Sequence, residues 1–186
     1  MKPQTRIILF VSLAVLASLQ IAGCAATPGN EPAALAQSDT PREVSPNVEE
    51  TALAELSAGN RAFAFNLYQA IRDEDGNLFF SPYSLSVALA MTYAGARGDT
   101  EQQMAQVLHF TLPQDQLHPA FNALDLSLTQ PNDEEGFRLA TANALWAQQG
   151  YSFLPGFLDT IALNYGGGVR LVDFIDPTAR EQARQM

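Results

Sequence analysis

The chain has a single cysteine, Cys24, so it cannot form an internal disulfide, and whatever fold it adopts must be held by buried apolar surface. That cysteine also marks a boundary. Before it, Lys2 and Arg6 form a short positive head, and Ile7 to Ile21 form an apolar run interrupted by Ser12, Ser18 and Gln20. A membrane-crossing helix needs about 20 apolar residues, and this run is too short for that without its flanks. A positive head, an apolar stretch of this length and small residues at its end are the marks of an export signal. Residues 1–23 are therefore expected to be cut away rather than to enter the fold.

The end of the run, Ile21-Ala22-Gly23-Cys24, resembles the lipobox of bacterial lipoproteins. The resemblance implies that the Cys24 thiol takes a diacylglycerol and that the mature chain begins there. Two or three acyl chains, at about 0.8 kcal/mol per buried methylene, anchor stably where one does not. The expectation is an exported protein, lipid-anchored on the periplasmic or cell-surface, extracellular face of a membrane. An ordinary secretory signal with a chance cysteine is the alternative. With Cys24 lipidated there is no free thiol, so thiol catalysis and cysteine zinc sites are excluded. His109 and His118 are the only histidines, read as two solvent-facing imidazoles, and neither a metal nor a cofactor is implied.

There are 20 acidic residues against 10 basic ones, and two of the basic ones, Lys2 and Arg6, fall in the export segment. So acidic a chain lacks the electrostatic footprint of a nucleic-acid binder, and it is not drawn to anionic headgroups either. The lipid on Cys24 must then do the membrane work.

Residues 24–48 carry Pro28, Pro32, Pro41 and Pro46 among small and acidic residues, which predicts a disordered tether. Residues 49–186 have the length of one domain. Leu53, Leu56, Phe63, Leu67 and Ile71 recur at helical spacing. After a turn at Asp73 to Asn77, Leu78-Phe79-Phe80 reads as a short strand, and Ser81-Pro82 as an N-cap and first-turn proline opening a buried helix to about Ala94. Thr100 and Gln103 form a capping-box pattern for a third helix through Leu108. Leu117, Phe121, Leu124 and Leu128 mark a fourth.

Beyond a turn at Pro131 to Gly136, Phe137 to Trp146 reads as a strand with no charge on either set of side chains, as expected of an interior strand covered on both faces. A helix from about Leu154 to Tyr165, a break at Gly166-Gly167-Gly168, a strand from Val169 to Phe174 and a helix opened by Asp176-Pro177 complete the pattern. That last helix has no C-terminal glycine cap before Met186, and the expectation is a domain truncated at its C-terminal end.

The run Asn77-Leu78-Phe79-Phe80-Ser81-Pro82-Tyr83-Ser84-Leu85-Ser86-Val87-Ala88-Leu89-Ala90-Met91, continued through Gly95 to Thr100 and Val107-Leu108, resembles the N-terminal signature of the serpins. Ala142-Asn143-Ala144-Leu145-Trp146 with Gln149-Gly150, then Phe157-Leu158, Tyr165 and Val172-Asp173-Phe174 follow in the same order. The resemblance implies an α+β fold, serpin-like and multi-helical with a large mixed β-sheet, of which this chain holds the N-terminal half. It also implies an irreversible inhibitor of serine (or cysteine) endopeptidases, not an enzyme. In such inhibitors a reactive loop is cut by the target protease and inserts into the large sheet, dragging the protease with it. That loop belongs to the C-terminal half of the family, so the protease partner would be engaged through residues this chain lacks, leaving it inactive alone.

By the same resemblance, Ser81 and Ser84, flanking the Pro82 turn, match serines on which sheet strands slide, and Asn143 matches a strand position of the family. Ser81 as a simple N-cap and Ser84 as a packing residue are equally open readings, and for Asn143 taken alone a buried amide satisfying backbone groups is the preferred one. The three glycines at 166–168 depart from the family, which more often carries charged or larger residues there. A hydrolase is disfavoured because there is no Gly-x-Ser-x-Gly elbow. A non-inhibitory, surface-anchored binding or structural lipoprotein with the same fold remains the alternative.

Overall fold

The computed structural model describes residues 34–73, 75–129 and 139–185. The expected export segment 1–23, Cys24 and the expected turn at 131–136 lie outside them.

Four helices build the main core. Helix α1 (Glu50–Ile71) buries Leu56 and Phe63 of the stripe that its periodicity predicts, together with Ala52, and leaves Leu53, Leu67 and Ile71 half-buried. It packs against α2 (Pro82–Tyr93), α3 (Asp99–Leu108) and α4 (Gln114–Thr129). Between them lie Val87, Ala90, Leu108, Leu117 and Phe121. Phe110 sits edge-on to Tyr93 at 5.4 Å and to Phe121 at 5.7 Å between centroids, the favoured geometry for aromatic rings. A smaller cluster of Met91, Ala94 and Ile161 joins α2 to α5 (Pro155–Tyr165).

Strands β1 (Ala34–Ala36), β2 (Leu145–Gln148) and β3 (Val169–Val172) form one sheet in the order β1-β3-β2. β2 and β3 are parallel, with Leu145 opposite Val169 and Gln148 opposite Val172, and α5 is the crossover that a parallel pair requires. β1 runs antiparallel along the other side of β3, Ala34 opposite Leu171 and Ala36 opposite Val169. Helix α6 (Pro177–Gln185) follows, its start capped as expected: Asp176 Oδ1 accepts from the Thr178 amide at 2.8 Å.

Several expectations are corrected. The predicted tether is, from Ala34 to Val48, laid along the domain: β1 pairs with β3, Arg42 bonds Asn122, and Val48 packs on the main core. Prolines and small residues here specify an extended chain whose partners are remote in sequence, so composition alone mimics disorder. Leu78-Phe79-Phe80 forms no strand, and Phe79 is fully exposed, because among the described residues no strand lies beside it. The third helix starts from Gly98, whose φ of 61° suits glycine, and it has no side-chain cap; Thr100 is already helical.

The strand expected over Phe137 to Trp146 occupies Leu145–Gln148 instead, with Leu139 to Ala144 outside any strand and Phe137 outside the described residues. Among the described residues it is an edge strand, half-buried throughout, rather than an interior one. β3 ends at Val172, two residues earlier than expected, because the Phe174 amide turns to the Gln148 side chain.

Candidate functional site

The Ser-Pro turn behaves locally as its sequence demands. Ser81 is the N-cap of α2 and Pro82 its first residue. The Ser81 Oγ accepts from the Ser84 amide at 3.3 Å and from the Ser84 hydroxyl at 3.0 Å. Both serines are exposed. The capping role is thus real, and it leaves both hydroxyls at the surface.

Helix α2 is apolar all round, a pattern that ordinarily marks a fully buried helix. Here its two faces differ. Inward lie Ser86, Val87, Ala90, Met91 and Tyr93; outward lie Ser81, Ser84, Leu85, Leu89 and Thr92. The Ser86 hydroxyl, with no exposure, donates to Asn60 Oδ1 of α1 at 2.6 Å. Leu85, 41% exposed, and Leu89, 37% exposed, are partly uncovered, and Leu78 and Phe79 just before the helix are exposed as well. The outward face thus carries two partly exposed leucines beyond two bonded hydroxyls.

Asn143 is not brought into this pair. It is exposed in the extended run before β2, so the buried-amide reading fails. Cys24 lies outside the described residues. The histidines also depart from expectation. His109 caps α3 in the left-handed conformation, with φ 55°, and its Nε2 lies 2.7 Å from the Asn66 amide nitrogen. His118, expected at the surface, is 3% exposed in the core, its Nδ1 2.7 Å from the Tyr165 hydroxyl. Its place one residue after Leu117 and three before Phe121 puts it on the inward stripe of α4, a signal present in the sequence.

Burial, and secondarily the Arg97 charge, pushes the His118 pKa down to about 4, so the ring is neutral near pH 7. Burial raises the Tyr165 hydroxyl, helped by Tyr83. Tyr83, between Ser81 and Ser84 in sequence, points its hydroxyl inward; burial and then the Asp125 carboxylate push it up to about 12, against an opposing pull from Arg42. Among the described residues no cluster of three or more His, Cys, Asp or Glu could hold a metal ion.

Residues 58–185 match the family described as serpin (serine protease inhibitor). The chain belongs to the serpin family. Its sequence is 39% identical over 132 residues to a leukocyte elastase inhibitor of Xenopus tropicalis, covering 70% of this chain and 34% of that one. It is 41% identical over 125 residues to a serpin-like protein of Thermococcus kodakarensis, covering 67% and 29%. Among solved structures, reactive-loop-cleaved human thyroxine binding globulin superposes with a TM-score of 0.60 at 32% identity, over 72% of this chain and 40% of that one. The serpin-like α+β fold is thus present over a part of the family's length: the chain spans about a third of the curated relatives it matches. This serpin segment belongs to a family of protease inhibitors, not of enzymes.

Proposed function

We propose that this chain is the N-terminal part of a serpin-type inhibitor of serine (or cysteine) endopeptidases, held outside the cytoplasm by lipid on Cys24. The observation that carries this reading is the outward face of α2. It offers two exposed serines at the family's Ser-Pro position and an apolar surface beyond them, what a sliding sheet needs as a floor: small hydroxyls can exchange hydrogen bonds between two strand arrangements without stranding a buried group. Asn143 and the extended run before β2 would complete the sheet above it. The similarity to a leukocyte elastase inhibitor supports a protease as partner.

The lipobox supports the anchor, and the docked segment from Ala34 changes its geometry. Nine residues separate Cys24 from Ala34, and that span of ten residue steps reaches at most about 35 Å fully extended. The domain would ride close to its membrane rather than on a long tether. The alternative, a non-inhibitory surface-anchored binding module, is favoured by one observation: the fold is shared with a globulin named for binding thyroxine.

The test is incubation with trypsin-, chymotrypsin-, elastase- and subtilisin-like proteases, followed by a denaturing gel. The 186-residue chain should give no denaturant-resistant complex, and a form extended by a serpin C-terminal half with its reactive loop should give one. A covalent band from the short chain would overturn the assignment of the bait to the C-terminal half. No band from the extended form would favour the binding module.

A further inference from the structure

Residues 34–48 cross the outer side of the domain, and the groups they meet are shaped to receive them. β1 pairs with the edge of β3. Ser38 donates to Asp159 of α5, and the Glu43 amide donates to the Leu163 carbonyl at 2.9 Å. Arg42 donates through Nε to Asn122 Oδ1 at 2.9 Å and through a terminal nitrogen to Asp125 Oδ2 at 2.7 Å. Asn122 returns a bond from Nδ2 to the Glu43 carbonyl at 2.7 Å. With no exposure, this Asn has both ends of its amide satisfied by the segment.

The backbone beneath is cut to fit. A Cβ at Gly168 would stand 2.7 Å from the Ala36 carbonyl oxygen and 2.8 Å from the Gln37 Cβ. A Cβ at Gly166, which caps α5 at φ 65°, would stand 2.9 Å from the Arg42 Cδ. Gly167 between them has nothing within 4 Å. Two of the three glycines that depart from the serpin pattern, Gly166 and Gly168, are therefore those over which the segment passes.

We propose that residues 34–48 are a strap, seated in a slot made by Gly166, Gly168, Asn122 and Asp125, that closes the outer edge of β3 against strand pairing with a second copy of this chain. An unpaired edge strand is a template for another chain. The surface that fits this slot is the same segment, so a vacated slot is best filled by the strap of a second molecule, giving an exchanged dimer.

The test uses the full chain carrying Cys24→Ser. Gly168→Val should lower hydrogen-exchange protection across residues 169–172 at least about tenfold and shift mass by light scattering from monomer to dimer or larger, whereas Gly167→Val should match the parent. A Gly168→Val protein with the parent's protection and mass overturns the proposal. Should that variant fail to fold, Leu35→Cys with Arg170→Cys decides: these solvent-facing residues are directly opposed, and the spacing of opposed antiparallel residues suits a disulfide. Oxidation should give an intramolecular link in a monomer. An intermolecular link in the otherwise unaltered chain, or none, overturns the strap.

Discussion

His118 and Tyr165 meet in the core, the imidazole Nδ1 2.7 Å from the phenol oxygen and the rings edge-on at 5.8 Å between centroids. The pair ties α4 to α5, and His118 Nε2 and the Tyr83 hydroxyl are buried with no hydrogen-bond partner among the described residues, a setting that disfavours an imidazolium.

Acid should therefore loosen the domain. The His118 pKa is about 4 folded and about 6.5 unfolded, so between these values the unfolded chain binds the proton and the folded chain does not. Stability is full above about pH 6.5 and falls as pH drops towards 4, by up to roughly 3 kcal/mol. Denaturant melts at pH 7 and pH 4.5 should differ accordingly, and His118→Gln should shrink the difference. An equal acid loss in that variant would place the cause elsewhere.

Ser86→Ala removes a fully buried hydroxyl and takes from the half-buried Asn60 Oδ1 its donor. The expected cost is about 1–3 kcal/mol, seen as a melting temperature lower by several degrees. Ser84→Ala, at an exposed hydroxyl, should change stability by less than about 0.5 kcal/mol. If the two behave alike, the inward and outward faces of α2 have been misassigned.

The outward face of α2 should be adhesive. Phe79, Leu85 and Leu89 are exposed in a chain that also bares Leu154 and Ile175. The chain should brighten an environment-sensitive dye such as anilinonaphthalene sulfonate, and Leu85→Ser with Leu89→Ser should dim that signal. No dye binding by the parent would mean that this face is covered in solution.

For the anchor, Cys24→Ser should move the protein expressed in a bacterium with lipoprotein processing from the detergent-rich phase to the aqueous phase. Unchanged partitioning would remove the lipid from the proposed function.

The helices were legible because their causes are local. Apolar spacing set α1 and α4, Ser81-Pro82 and Asp176-Pro177 set the starts of α2 and α6, and Gly166 set the end of α5. The ordered series from Asn77 to Phe174 also carried the serpin resemblance.

Tertiary structure decided whatever depends on a partner distant in sequence. Composition read Ala34 to Val48 as a tether because nothing within the segment holds it; Asn122, Asp125, Leu163 and β3 hold it, more than 70 residues away. Leu78 to Phe80 had the residues of a strand but no neighbour to pair with among the described residues, and a strand exists only in a ladder. Asn143 had the setting of a covered strand and lies exposed, while His118 had the look of a surface residue and lies in the core. Burial belongs to the packed domain, and a residue's own polarity does not fix it.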